Sequence, residues 1–368
     1  MRIVYPYNEI LPKNRAHDLY IFDECAALAN IGFDVSLLCG KGGMKNQDLF
    51  KHYSVSKDTF NIKRIPIIRK NHLFKFSWNA LFFFLSQRVI KQIKPHWVFL
   101  SVYKQGIYHL KHKIPNTRYV YEVHELTFYP YMKTLPNLFF REKEMLNRAD
   151  LITVTTQALK EILLAPPYDQ LLPIEVVPLA VKKTPLAFPI KHSDKLMITY
   201  IGQLYPEQGV ENLIRAIEPI EGIHLKIIGG EANEILDMKK IVTHLNISHK
   251  VDFLGFISPD LLSEIATEAD VFVAPFHPLG RMPYVAHMKL YEYAKWGRPI
   301  VAPNLPIVRE HFNRGLLFFE PGKIDSLSDC IEKLKEKTLR DKLQKEISLY
   351  RDQFNWQSRA MHYQDLLR

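Results

Sequence analysis

The stretch Val273-Ala-Pro-Phe-His-Pro-Leu-Gly280-Arg-Met-Pro-Tyr-Val-Ala-His-Met-Lys289-Leu-Tyr-Glu292-Tyr-Ala-Lys-Trp-Gly297-Arg-Pro-Ile-Val-Ala302 reads as strand, loop, helix and strand in turn. The apolar run ending at Ala274 is a buried strand, Val285–Trp296 a helix stopped by Gly297, and Pro299–Ala302 the next buried strand. A helix N-terminus near Val285 offers unpaired N–H groups and a positive dipole, a seat for a diphosphate. Lys289 and Glu292 are three apart and share one helix face. A lysine there can pair with phosphate, and a carboxylate can accept hydrogen bonds from a ribose diol. The same spacing also describes a surface pair that merely supports the helix.

Outward from this stretch the alternation continues. Strands are expected at Leu196–Gly202, His224–Ile228, Val251–Leu254 and Val271–Ala274, with helices from Gly209, up to about Leu245, and over Pro259–Ala269. The first half repeats the pattern: strands at Arg2–Tyr7, Asp34–Cys39, Asn61–Ile68, His96–Ser101, Arg118–Val123, Leu151–Thr155 and Ile174–Pro178, with a helix from Ala16 carrying Leu19, Phe22, Ala26 and Ala29 on one stripe. Strands alternating with helices indicate parallel sheets covered on both faces. A proline- and lysine-rich stretch, Pro178 to Lys195, separates the halves. The fold class is therefore α/β, two Rossmann-like, doubly wound domains facing a ligand cleft at the carboxyl ends of their strands. Leu339–Arg368 is helical by pattern, with Phe354, Trp356 and Tyr363 as apolar anchors.

The composition, 47% hydrophobic and 24% charged, is that of a globular protein. The short apolar start at Met1–Tyr7 reads as a strand rather than a signal peptide, and the uncharged run between Lys75 and Arg88 is too short to span a bilayer, which implies a cytoplasmic chain. Cys25, Cys39 and Cys330 fit no metal or redox spacing. There is no Asp-x-Asp, no His/Cys cluster, no Walker-type loop and no serine elbow, so no metal or cofactor is expected. The net charge of +10 is uneven: residues 1–190 hold 26 Lys/Arg against 15 Asp/Glu, and residues 191–368 hold 23 against 24. Between Lys41 and Arg118, 16 basic residues face only Asp48 and Asp58. Such a field suits a polyanion or an anionic membrane surface. A nucleic acid is not expected, because the chain has no helix-turn-helix or RNP pattern. In Phe74–Ile90, the residues Phe74, Trp78, Leu81, Phe82, Leu85 and Val89 form one helical stripe, a core face. Phe76, Phe83 and Ile90 form a second, which is either buried or laid in a membrane interface from the cytoplasmic side.

Lys289-Leu-Tyr-Glu-Tyr-Ala-Lys-Trp-Gly-Arg-Pro-Ile-Val-Ala302 resembles the K-L-x-E-Y-M-A-x-G-x-P-V-V-A signature of family 4 retaining glycosyltransferases of the GT-B fold. Tyr200-Ile-Gly-Gln-Leu-Tyr-Pro-Glu-Gln-Gly-Val-Glu-Asn-Leu-Ile-Arg-Ala216 is similar to that family's G-R-L-x-x-x-K-G-V-x-x-L-I-x-A turn. Ile227-Ile-Gly-Gly230 and Val251–Ile257 resemble its I-I-G-x-G and base-framing strands. The resemblance implies a nucleotide-sugar donor held by Glu292 at the ribose, with Gly202, Gln203, Gln208, Gly230, Phe256, Leu290 and Tyr284 around it. The charge at the leaving diphosphate is expected from Lys289, Arg281 and the helix dipole. Gln203 and Gln208 stand where the family usually has Arg and Lys, and Tyr284 where it often has a second glutamate. Asn355-Trp356 begins what resembles the terminal helix that crosses back, giving domains 1–183 and 184–345 and a crossing helix 346–368.

In the first domain, Tyr121-Glu-Val-His-Glu-Leu126 resembles the family's x-E-x-H-D/E segment, whose histidine lies by the transferred sugar and the acceptor. Strand alternation puts Glu122 and His124 on one face and Glu125 opposite. The turn Pro12-Lys-Asn-Arg-Ala-His17 replaces the usual Gly-Gly; Asn14 is a helix cap there, and Lys13, Asn14 and Arg15 are candidate acceptor-binding residues. The expected activity is transfer of a hexosyl group from a UDP- or GDP-linked sugar to a cell-envelope glycan or lipid-linked acceptor. The alternative is a sugar-nucleotide-binding protein of the same fold without turnover.

Overall fold

The computed structural model describes residues 1–13, 16–67, 79–183, 194–257 and 259–368, with the side chains of 16, 259 and 260 left aside. The chain forms two compact units, Met1–Pro178 with Trp356–Arg368, and Leu179–Asn355. These limits differ from the 183 and 345 expected from the sequence.

The first unit is built on seven strands: β1 (Arg2–Pro6), β2 (Asp34–Gly40), β3 (Asn61–Ile65), β4 (Trp97–Leu100), β5 (Arg118–Val123), β6 (Leu151–Val154) and β7 (Ile174–Val176). They run in the order β3-β2-β1-β4-β5-β6-β7, every pair parallel. The central strands β1 and β4 are buried along almost their whole length, as expected of near-continuous apolar runs covered on both faces. The second unit has six: β8 (Leu196–Ile201), β9 (Ile223–Ile228), β10 (Val251–Gly255), β11 (Val271–Val273), β12 (Ile300–Pro303) and β13 (Leu316–Phe319), ordered β10-β9-β8-β11-β12-β13 and again parallel. In each sheet the order reverses beside the first strand, between β1 and β4 and between β8 and β11, where doubly wound sheets open a crevice.

Four elements differ from the sequence reading. The signature helix begins at Met288 rather than near Val285, because Arg281–Tyr284 turns back on itself through Arg281 O, which accepts from Tyr284 N and Val285 N at 3.2 Å. Strand β13 was not anticipated; Leu316–Phe319 is a four-residue edge run with no turn signal of its own beyond Gly315. The terminal segment is three helices, Lys337–Ser348, Tyr350–Gln353 and Trp356–Leu366, the last two separated where Asn355 Nδ2 donates to Asp352 O at 2.6 Å. Its anchors separate at that break: Phe354 packs among Tyr291, Phe312 and Tyr350 of the second unit, and Trp356 meets Tyr20 of the first with ring centroids 5.0 Å apart.

The fourth difference corrects the aromatic helix. Over Ala80–Ile93 the buried face is Phe82, Phe83, Ser86, Gln87 and Ile90, while Leu81 and Phe84 are exposed. Phe83 and Ile90 are therefore core, and Leu81 is not. Polar bonds set this rotation: Gln87 Oε1 meets His109 Nδ1 at 2.8 Å and Ser86 Oγ meets His109 Nε2 at 3.3 Å, while Phe83 stacks on Tyr108. Phe74, Phe76 and Trp78 lie outside the described residues. Among the described residues no helix is long and apolar enough to cross a membrane, and no group of His, Cys, Asp or Glu is arranged to hold a metal ion. The three cysteines are buried and unbridged.

Candidate active site

In the second unit the carboxyl end of β8 meets the helix Met288–Lys295. Strand β8 ends in Tyr200-Ile-Gly, and alternation turns Tyr200 toward that helix. The Lys289 ammonium reaches back to this strand end: Nζ donates to the Tyr200 hydroxyl at 3.0 Å and to Gln208 Oε1 at 2.5 Å, and lies 4.4 Å from the Tyr200 ring centre. Tyr200 OH in turn donates to Gln203 O at 2.5 Å. Gly202 sits directly in front, at φ +152°; a Cβ there would lie 3.0 Å from the Tyr200 hydroxyl and 3.3 Å from Lys289 Nζ. Only glycine leaves that approach open. Behind it, Tyr293 OH accepts from Ile201 N at 2.8 Å and donates to Ile201 O at 3.0 Å, so one helix side chain fixes the end of β8.

No carboxylate among the described residues neutralises Lys289, and burial pushes its ammonium down to about 7. Glu292 is ion-paired with Lys295 rather than with Lys289, although the two share the helix face as expected. Leu290 is buried, its N–H bonded to His287 O at 2.9 Å. His287 stacks on Phe276 with centroids 3.8 Å apart and donates from Nε2 to Met282 O at 3.0 Å. Burial pushes this histidine down to about 3, so it enters the site neutral. Tyr284 is buried and Arg281 exposed on the loop before the helix. Gly230 lies against the Leu204 side chain, and Phe256, just past β10, is 74% exposed. The fold thus brings Lys289, Gly202, Gln203 and Gln208 into one cluster.

In the first unit, His124 follows β5, and its Nε2 lies 3.4 Å from Glu122 Oε2, on one face as alternation requires. Glu125 is exposed. Lys13 is ion-paired with Glu9, and Asn14 and Arg15 lie outside the described residues. Tyr200, His287 and Tyr293 were not anticipated as site residues. The position of Tyr200 two residues before Gly202, on the same strand face, was the available signal for the first of them.

Each unit is a parallel, doubly wound α/β sheet, and the second carries a lysine and glycine turns beside its switch point. Residues 183–350 match the glycosyl transferases group 1 family, and residues 19–183 match glycosyltransferase family 4. The chain belongs to this family of GT-B glycosyltransferases. It is similar to sucrose-phosphate synthase from Thermosynechococcus elongatus, with a TM-score of 0.78 at 18% identity over 99% of this chain and 98% of that one. It is also similar to Anabaena HepE in complex with UDP-glucose, with a TM-score of 0.73 at 16% identity over 100% and 99%. An uncharacterized glycosyltransferase of Methanocaldococcus jannaschii is 35% identical over 91 residues, 24% of this chain and 23% of that protein. The chain spans only about a quarter of the length of the curated relatives it matches.

Proposed function

We propose that this glycosyltransferase moves a hexosyl group, with retention, from a UDP- or GDP-linked sugar to a glycan or lipid-linked acceptor of the cell envelope. The observation that carries the donor half is Lys289: an ammonium held by the neutral oxygens of Tyr200 and Gln208, facing an open glycine, with no carboxylate partner among the described residues. A desolvated cation of this kind is matched to an incoming diphosphate, and electrostatic stabilisation of the departing diphosphate is the main catalytic need. Gln208, which stands where the family usually has a lysine, holds Lys289 in place, so its presence favours turnover over a binding-only protein.

In this reading Glu292 accepts the ribose hydroxyls, with Lys295 as its resting partner. Gly202, Gln203 and Gly230 bring backbone close to the phosphates, Phe256, Leu290 and Tyr284 flank the nucleotide, and Arg281 swings a second cation toward the leaving group. His124 hydrogen-bonds a hydroxyl near the reacting carbon, and Lys13 with its neighbours takes the acceptor. The leaving diphosphate oxygen takes the acceptor proton, so no strong protein base is needed. An anionic membrane is the proposed surface for a lipid-linked acceptor. The exposed side of Ala80–Ile93, where Arg88 lies 4.3 Å from the Phe84 ring beside Leu81 and Lys91, suits it.

A binding screen of UDP-, GDP-, ADP- and dTDP-glucose tests the donor, UDP-glucose first because HepE is seen with it. Glu292→Ala should weaken nucleotide binding by about 1.5–3 kcal/mol, the loss of a charged hydrogen bond. Unchanged calorimetric affinity for both UDP and GDP in that variant would remove the ribose assignment.

A further inference from the structure

Arg359 projects from the terminal helix Trp356–Leu366 into the core of the first unit and is buried there. All five of its N–H donors find acceptors. Nε donates to Glu24 Oε1 at 2.8 Å, Nη1 to Val177 O at 2.7 Å and Pro178 O at 2.5 Å, and Nη2 to Glu122 Oε1 and to the Tyr363 hydroxyl, the latter at 3.3 Å. Glu122 Oε1 also accepts from the Tyr20 hydroxyl at 2.7 Å. One oxygen of Glu122 is thus gripped from two sides, and the other, Oε2, faces His124 Nε2 at 3.4 Å. The Tyr20 ring meets His124 edge-on, centroids 4.8 Å apart, and Arg359 lies 5.2 Å from the same ring.

Glu24, Val177 and Pro178 already anchor the helix through Arg359. The additional arm through Glu122 does something else: it ends on a histidine whose side chain is 24% exposed, where the cluster reaches the surface. A carboxylate clamped at one oxygen is a fixed acceptor at the other, and such an acceptor orients an imidazole and selects which nitrogen carries the proton. We propose that Arg359, with Tyr20, is a positioning residue: by clamping Glu122 it fixes the ring of His124. The positioning rests on the reading of His124 as a group that acts on the sugar or acceptor.

The test is a double-mutant cycle on the full chain, with turnover followed as nucleoside diphosphate released from UDP-, GDP-, ADP- and dTDP-glucose. Glu122→Gln keeps shape and should lower kcat by about ten- to a hundredfold, the cost of a misplaced group, while donor KM changes little. The double variant Glu122→Gln/His124→Ala should be no slower than His124→Ala alone, because both changes remove one function. Additive losses with an impaired His124→Ala would overturn the positioning and leave the role of His124 standing. Full turnover by His124→Ala would overturn both. A readout free of activity is the His124 Cε1–H resonance in Arg359→Met. That residue bonds Glu122 and not His124, so a shifted signal supports the clamp and an unmoved one in a folded variant defeats it. If Arg359→Met does not fold, the Glu122→Gln cycle decides alone.

Discussion

At the scale of single residues, Lys289 is the most informative side chain. Its spacing from Glu292 was legible in the sequence, but its partners were not: it turns away from Glu292 toward Tyr200 and Gln208, residues about eighty and ninety positions earlier. Burial holds its ammonium at about 7, below the usual 10.5, so the cation is lost as pH rises through about 7. The affinity for UDP should therefore fall as pH rises through about 7, by up to about tenfold per pH unit, as proton-linked binding requires. In Lys289→Met the affinity should be weak and flat across the same range. A calorimetric titration of both proteins at several pH values separates the cases, and an identical pH slope in the variant would rule out Lys289 as the titrating cation.

At the scale of elements, the terminal helix shows how sequence signals stop short. Its apolar anchors were readable, but nothing local marks Arg359 as the ion partner of Glu24 and Glu122, because the three meet across 335 and 237 residues of chain. The two carboxylates share one guanidinium and do not titrate alike. Burial and then the neighbouring Glu122 push Glu24 up to about 7 from 4.5. Burial would also raise Glu122, but Arg359 and then His124 outweigh it and hold that carboxyl well below the usual range. A raised folded value means that Glu24 contributes stability that is fully present below about 4.5 and lost as pH rises through about 7. The melting temperature of the parent protein should accordingly decline across that window, and that of Glu24→Gln should lack the decline. A parent-like decline in the variant would mean that the proton resides elsewhere. Glu122 contributes in the opposite sense, above its unfolded value, and its share is lost only at strongly acid pH.

At the scale of the whole molecule, the basic excess lies in residues 1–190, while the remainder is near neutral. If the exposed flank of Ala80–Ile93 meets an anionic bilayer, the protein should sediment with phosphatidylglycerol vesicles and less with phosphatidylcholine ones, and salt should release it. Phe84→Ser with Arg88→Glu should abolish the difference; equal sedimentation with both vesicles would end the membrane proposal.

Period and punctuation alone determined two parallel α/β sheets, most strand limits to within a residue or two, and the helix that carries Lys289 and Glu292. Those properties are local: a buried parallel strand must be apolar along its length, and a glycine must end the helix. Only the tertiary structure decided that the helix starts at Met288, that Phe83 and Ile90 are core, and that Lys289 leans on Tyr200 and Gln208. It also decided that Arg359 closes a buried cluster with Glu24 and Glu122. Each of these depends on which distant side chain arrives to satisfy a buried polar group, and no spacing within a segment encodes that choice.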